Sequence, residues 1–238
     1  MSNPGGISTA PVLWLKADAG VFLGAALSTG VGVYQWNDQS PQGNDAYQST
    51  GSYQPATGVN TLNGLPLVTF SGSPQRMTIS DAFYPGANWT FFCVAKKAAS
   101  GDRFIVLGNY EQGDPTATIF YSDDNAYGTN QNGYIDYADP ATTWNYWTVK
   151  NAANTLTQYR AGIVKQTGTP TFNSTPYPWD VIGARESDTT WSNGDVAEIM
   201  VFPTALSDPD REAVEVYLNT KWFVAPAPNI AEIGRAHV

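Results

Sequence analysis

The sequence predicts an all-β domain with one helix near the C-terminal end of the chain. Its 238 residues include 22 Gly, 16 Pro, 13 Tyr and 8 Trp, and only 14% of them are charged. This composition is typical of many short strands that tight turns connect. Short apolar or alternating runs recur between segments rich in Gly, Pro and Asn, and an all-β domain of this length is common as a single unit.

Four segments carry the strand prediction. VLWLKAD (residues 12–18) alternates as a half-buried strand does, whereas WTFFCVAKK (89–97) is almost continuously apolar and is predicted to be central in its sheet. The pair Asn63-Gly64 is a signal for a tight hairpin turn. NYWTVKNA (145–152) and TLTQYRAGIVKQTG (155–168) are predicted to be the two arms of a hairpin.

LSDPDREAVEVYLNTKW (206–222) has the pattern of a helix. Ser207 is predicted to cap its first turn, which also contains two aspartates and a proline, residues that suit the positive end of a helix. Three apolar residues then share one face of the helix: Val214, Tyr217 and Leu218. We therefore predict a helix over about residues 208–221 that covers an edge of the sheets.

The charge and the rare residues exclude several classes of function. The net charge is −9, from 12 basic and 21 acidic residues, and no Lys/Arg cluster offsets it, so nucleic-acid binding is not expected. His237 is the only histidine, and without it the body of the chain has no Ser-His-Asp or Cys-His site. Cys93 lies in an apolar run and is predicted to be a small buried hydrophobic residue.

We predict one domain over residues 11–224, preceded by an arm at 1–10 and followed by a linker at 225–231. The last segment, EIGRAHV (232–238), resembles the translation of a sequencing-library adapter, and we expect it to be foreign to the domain. No basic segment or long apolar run follows Met1, so neither a signal peptide nor membrane insertion is predicted.

Four motifs carry a resemblance to a known family: LWLKADAGV (13–21), WNDQSPQGNDAYQ (36–48), NGLPLVTFSG (63–72) and GDVAEIMVFPTALSDPDREAVEVYLNTKW (194–222). They resemble the concanavalin A-like lectin/laminin G-like domains of bacterial and phage proteins, and the likeness extends over about residues 11–223. The resemblance implies a jelly-roll sandwich of two antiparallel sheets with one short C-terminal helix, in which the first and last strands pair.

These motifs also have a structural interpretation that is independent of function. Asp38 and Asn44 are predicted to close turns through bonds from their side chains to the backbone. Four large aromatic residues are predicted to fill the core: Trp14, Trp36, Phe70 and Trp222.

Catalysis is the second of three functional hypotheses and is weaker than carbohydrate binding. Glycosidases of this superfamily carry an E-x-D-x-x-E strand, and the nearest counterpart here runs from Asp195 to Glu198. These carboxylates are three positions apart, so on a regular strand they face opposite sides of the sheet. A carbohydrate-active enzyme (a glycoside hydrolase or a polysaccharide lyase), or its binding module, is therefore the alternative hypothesis rather than the leading one.

Carbohydrate binding is the leading hypothesis. Saccharide sites combine aromatic faces with amides and carboxylates that bind the hydroxyls. Alternation places Tyr134 and Asp136 on one face of their strand, and Trp191, in the polar segment DTTWSNG, is the aromatic residue expected to be most exposed. Each tyrosine is also explained as an ordinary sheet residue. The predicted ligand-binding residues are Tyr121, Asp123, Tyr134, Asp136 and Trp191.

The predicted partner is a glycan or a cell-surface polysaccharide. We expect a lectin-like recognition or adhesion module at a virion or extracellular surface, as a phage tail, capsid-fibre or decoration protein, with homo-oligomers or virion assembly as its context. A purely structural virion or surface domain is the third alternative. No cofactor is predicted except calcium, for which the oxygen-rich segments at 37–38, 122–125 and 186–188 are candidates, although none has a regular ladder of ligands.

Overall fold

The computed structural model describes residues 2–72, 74–84, 86–109, 119–122, 125–130, 133–170, 178–185 and 190–225. Within these residues the chain forms an all-β sandwich with one α-helix, as the sequence predicts. Every pair of neighbouring strands is antiparallel.

The strands are β1 (Leu13–Lys16), β2 (Val21–Ala26), β3 (Val31–Trp36), β4 (Ala46–Tyr47), β5 (Ala56–Leu62), β6 (Leu65–Ser71), β7 (Met77–Phe83), β8 (Trp89–Lys97), β9 (Phe104–Leu107), β10 (Ile119–Ser122), β11 (Asn125–Asn130), β12 (Gly133–Ala138), β13 (Asn145–Ala152), β14 (Thr155–Arg160), β15 (Ile163–Gly168), β16 (Trp179–Ile182), β17 (Ala184–Arg185), β18 (Thr190–Trp191) and β19 (Asn193–Phe202). The helix α1 spans Asp208–Trp222. Short 3-10 turns lie at Pro4–Gly6 and Gly51–Tyr53.

Two runs of strands form the layers of the sandwich. One has the order β15-β14-β13-β8-β19-β6-β5, and its hydrogen bonds continue through β3, β4 and β7 to β16. The second run is the four-stranded sheet β12-β11-β10-β9, which joins β16 because Gly108 bridges to Val181. β1 pairs with β19, so the pairing of the first and last strands that the resemblance implies is confirmed. β8 lies between β13 and β19, which confirms its central position.

Two apolar clusters hold these elements together. The larger one fills the space between the layers and includes Trp36 and Phe70, and the smaller one packs α1 onto β1, β8 and β19 through Trp14 and Trp222. All four predicted core aromatics are buried, at 0–6% exposure. Cys93 is also buried as predicted, and this burial raises the pKa of its thiol.

The helix forms where the sequence predicts it. The Ser207 hydroxyl accepts a hydrogen bond from the backbone N–H of Asp210 at 3.3 Å, which caps the first turn. Val214 and Leu218 are fully buried against the sheet. One further residue of the helix, Glu215, accepts hydrogen bonds from Arg211 and from Thr148 of β13, and so ties α1 to the sheet beneath it.

The predicted turn at WNDQS is confirmed. Asp38 accepts hydrogen bonds from the backbone N–H groups of Trp14, Ser40 and Asn44 at 2.7–2.9 Å. The Asn44 side chain in turn donates to the carbonyl of Val12 at 2.8 Å. Both side chains therefore fasten the turn to the first strand, as sequence reasoning expects.

One hairpin arm differs from the prediction. Ala153 and Asn154 join β13 to β14 with positive φ angles of 47° and 68°, as a tight hairpin turn requires. A second turn follows at Ala161-Gly162, with φ of 50° and 75°, so residues 155–168 form two antiparallel strands rather than one arm. Alanine rarely adopts this conformation, which is why its turn is missed.

The N-terminal segment packs against the helix. A Cβ atom at Gly5 would lie 2.7 Å from the backbone of Ala213, so this close approach requires glycine there. Pro4 and Ile7 are buried. The predicted domain boundaries stay predictions. Among the helical residues that the structure describes, no helix is long and apolar enough to span a bilayer.

Candidate functional site

Three of the five predicted ligand-binding residues lie in the four-stranded sheet. Tyr121 lies in β10, opposite Phe104 of β9. Tyr134 and Asp136 lie in β12, the strand farthest from β9. Asp123 lies outside the described residues.

Asp136 lies on the outer face of this sheet. Its neighbour Ile135 is buried in the core between the layers, and successive residues of a strand face opposite sides. Asp136 is half-buried, and its Cα partner across the sheet is Tyr127 of β11. The carboxylate is therefore placed where solvent and a ligand can reach it.

Trp191 lies in a different part of the molecule, next to an arginine that contacts two aromatic rings. The guanidinium carbon of Arg76 is 5.4 Å from the centroid of the Trp191 ring and 4.8 Å from that of Tyr53. All three side chains are half-buried. We call these three residues the Trp191 cluster. A guanidinium between two rings holds their relative positions and presents N–H donors beside apolar faces.

The hairpin that carries Trp191 is anchored in the core. The Ser192 hydroxyl donates to the carbonyl of Ile105 at 2.8 Å and accepts from the N–H of the same residue at 2.7 Å. The N–H of Ser192 donates to the carbonyl of Gly183 at 2.9 Å. Gly183 has a φ of +85°, and a Cβ atom there would overlap the ring of Phe70. These contacts anchor the base of the hairpin at Gly183 and Ser192.

The structure separates the predicted residues into two surfaces. The Trp191 hairpin is bonded to β9 through Ser192, whereas Asp136 lies in β12, three strands away. Three strand spacings amount to about 14 Å. Tyr134 and Asp136 are brought together in β12, but Trp191 is not part of that group. Sequence reasoning does not identify Arg76 and Tyr53. Arg76 precedes β7 and Tyr53 ends a 3-10 turn, and no local pattern indicates that these two segments meet at Trp191.

The prediction for Asp195 and Glu198 is wrong, because β19 contains a β-bulge between them. Val196 lies opposite Ala95 and Glu198 lies opposite Val94, so Ala197 is an extra residue in the ladder. The extra residue shifts the alternation by one position, and both carboxylates then lie on the helix side of the sheet.

Glu198 is fully buried and its carboxylate is fully engaged. Oε1 accepts hydrogen bonds from the indole of Trp14 and from the hydroxyl of Tyr217, and Oε2 accepts from the indole of Trp222 and the ammonium of Lys221. Burial, followed by the nearby Glu198 charge, raises the pKa of Tyr217. This carboxylate therefore joins β1, β19 and α1, and it is not accessible to a glycosidic oxygen.

Asp195 is also buried, at 5% exposure, but one of its hydrogen-bond partners is exposed. Its carboxylate accepts from the hydroxyl of Thr69 at 2.6 Å and from the amide of Asn60 at 2.9 and 3.2 Å. Thr69 is half-buried and Asn60 is exposed, so the carboxylate lies at the margin of the layer that α1 covers. Lys96 of β8 is its cross-strand partner.

The described residues include no group of three or more His, Cys, Asp or Glu side chains that could hold a metal ion. In the candidate calcium segment at 37–38, the Asp38 carboxylate already accepts hydrogen bonds from backbone N–H groups of the turn. Asp123, Asp124 and the segment 186–188 lie outside the described residues, so calcium binding there stays a prediction.

The chain matches no protein-family model and no curated protein sequence. Its fold is similar to that of several solved structures. An arabinofuranosidase in complex with arabinofuranosyl-alpha-1,2-xylobiose shares 14% identity with a TM-score of 0.66, over 92% of this chain and 64% of that chain. The botulinum neurotoxin serotype D ligand binding domain in complex with N-acetylneuraminic acid shares 15% identity with a TM-score of 0.53, over 87% of this chain and 50% of that chain.

A third similar structure is Trypanosoma rangeli sialidase in complex with sialic acid, with 13% identity, a TM-score of 0.57 and coverage of 88% of this chain and 33% of that chain. The chain spans less than two thirds of the length of all three proteins. At such identities the likeness establishes the β-sandwich fold, and function has to be argued from the residues of this chain.

Proposed function

We propose that this chain is a carbohydrate-recognition module and that the Trp191 cluster is its principal binding surface. One observation carries the proposal: Trp191 is half-buried on an anchored hairpin, and Arg76 lies between its ring and that of Tyr53. An aromatic face can cover the apolar face of a sugar ring while guanidinium N–H groups donate to its oxygens. The three similar structures are complexes with a saccharide or sialic acid, which supports the same class of ligand.

The Trp191→Ala variant tests this function on a glycan array, with isothermal titration calorimetry for each saccharide that binds. We expect the wild-type protein to bind weakly and the variant to lose about tenfold in affinity, because covering apolar ring surface contributes about 25 cal/mol per Å² and a tenfold loss corresponds to about 1.4 kcal/mol. Circular dichroism should show an unchanged fold, because Trp191 is not fully buried.

Tyr84→Ala is the matched control. Tyr84 is 55% exposed and follows the far end of β7, whereas Arg76 immediately precedes that strand. The control should retain wild-type affinity. Equal losses in both variants, or no loss in Trp191→Ala, would contradict the assignment of the surface.

The finer role that we propose is adhesion as a phage virion component that acts at a virion or extracellular surface. A single small site binds weakly, and many copies displayed together compensate through avidity. A multimeric display of the domain should therefore bind a polysaccharide-coated surface far more tightly than the monomer. Similar binding by both forms would count against a role that depends on multivalency.

A carbohydrate-active enzyme is the competing proposal, because Asp195 and Glu198 share a face of β19. Glu198 is bound by four donors and is 0% exposed, which leaves it unsuited to protonate or attack a substrate. We expect no release of reducing sugar from polysaccharides above the buffer level. Sustained turnover that is lost in Asp195→Asn would instead favour the enzyme.

A further inference from the structure

A row of polar and aromatic residues lies at the margin beside α1, on the helix side of the layer that contains β13, β8, β19 and β6. Lys96 of β8 lies opposite Asp195 of β19, which lies opposite Thr69 of β6. Asn145 is opposite Ala95, so Trp144, one residue earlier, continues the row beside Lys96. Adjacent strands are about 4.8 Å apart, which gives the row a fixed spacing.

The two charges at the centre of this row do not neutralise each other. The Lys96 ammonium lies 5.5 Å from the centroid of the Trp144 ring, and in the described part of the chain it forms no ion pair with Asp195 or any other carboxylate. The Asp195 carboxylate instead receives donors from Thr69 and Asn60. The row thus presents a cation and an anion side by side, each with capacity for another hydrogen bond.

The groups in this row match the needs of a sugar ring. Trp144 and Lys96 are half-buried, Asn60 is exposed and Asp195 is 5% exposed, so the carboxylate lies at the base of a row whose other members reach solvent. Trp144 and Asp195 are two strands apart, about 10 Å, with Lys96 of the intervening strand between them, so a sugar ring has to lie over the row.

We propose that the row formed by Trp144, Lys96, Asp195, Thr69 and Asn60 is a second saccharide site, for a single pyranose ring with two neighbouring free hydroxyls. One hydroxyl donates to the Asp195 carboxylate, the other accepts from the Lys96 ammonium, and the Trp144 ring covers an apolar edge of the sugar. The site lies on the layer opposite the four-stranded sheet. The proposal of this second site rests on the proposed function only in that both take a saccharide as the ligand.

The test is a titration of the 15N-labelled protein with the methyl glycosides of glucose, mannose and galactose, followed through the indole N–H signals of Trp144 and Trp191. We expect one of these glycosides to shift the Trp144 signal in the wild-type protein. Asp195→Asn should weaken that response at least tenfold while the Trp191 response stays unchanged. Trp191→Ala should leave the Trp144 response intact.

Asp81→Asn is the matched control, because Asp81 is an exposed aspartate elsewhere on the surface, in β7. It should behave as the wild type does. If Trp191 responds but Trp144 does not, or if Asp195→Asn leaves the Trp144 response unchanged, the second site is wrong while the proposed function stands. If neither indole responds to any glycoside, the second site is wrong, and the glycan-array test of Trp191 decides the proposed function separately.

Discussion

Asp195 and Glu198 lie on the same side of β19, but their carboxylates have different surroundings. Glu198 is enclosed by two indoles, a phenol and an ammonium, whereas Asp195 is bound by a hydroxyl and an amide at the edge of the covered layer. The difference comes from the helix, which packs over Glu198 through Tyr217, Lys221 and Trp222. The element that packs on each carboxylate, rather than its chemical type, therefore decides its role.

The largest expected effect follows from removal of the enclosed carboxylate. Glu198→Ala should lower the free energy of unfolding by about 3–5 kcal/mol, because it leaves buried donors and a cation without their acceptor. Urea denaturation followed by tryptophan fluorescence measures this change. Asp81→Ala, at an exposed position, should change stability by less than about 0.5 kcal/mol. A loss below about 1 kcal/mol at Glu198 would mean that water replaces the carboxylate.

The next effect concerns the hairpin that carries Trp191. Gly183→Ala should destabilise the domain by about 2–3 kcal/mol, since the added methyl group meets the Phe70 ring and the φ of +85° is unfavourable for alanine. Saccharide binding at Trp191 should weaken as well, because the hairpin has to shift.

Gly43→Ala separates the two causes. Gly43 has a φ of +72°, and no atom lies within 4 Å of a Cβ placed there. This variant should lose only about 1 kcal/mol, from backbone conformation alone, and should bind normally. Equal losses at both glycines would show that the Phe70 contact contributes nothing.

The sequence predicts the regular parts of the molecule well. The capped helix, the Asn63-Gly64 turn and the central strand β8 each depend on local patterns, and all are confirmed. The turn at Ala161-Gly162 lacks a strong local signal because alanine is uncommon at positive φ, and the bulge at Ala197 depends on how β19 pairs with β8 rather than on a local pattern.

The candidate surfaces are less predictable than the fold. The polar neighbours of Trp191 predict its exposure, but Arg76 and Tyr53 come from segments far away in the chain. The row at Asp195 depends on the register of four strands, and no local pattern specifies which residues of β6, β8 and β19 lie opposite one another.

A smaller effect is expected in alkaline solution. Burial and the Glu198 charge raise the pKa of Tyr217 above its unfolded value of about 10. The folded state then favours the neutral phenol, so this contribution is complete below about pH 10 and is lost as the pH rises further. Urea denaturation between about pH 8 and pH 11 should show a shallower decline in Tyr217→Phe than in the wild type. Identical slopes would show that Tyr217 ionises normally.

The smallest expected effect on stability is at Asp195, and it completes the comparison with Glu198. Asp195→Asn keeps the shape of the side chain, and the new amide oxygen still accepts from Thr69 and from Asn60, so the free energy of unfolding should change by less than about 1 kcal/mol. The amide no longer attracts a sugar hydroxyl as strongly, because hydrogen bonds to a charged acceptor are about twice as strong as neutral ones. Urea denaturation and glycoside titration of the same sample should therefore give opposite results for the two positions: at Asp195 binding is lost and stability is kept, whereas at Glu198 stability is lost. A destabilisation at Asp195 as large as that of Glu198→Ala would show that both carboxylates serve the fold.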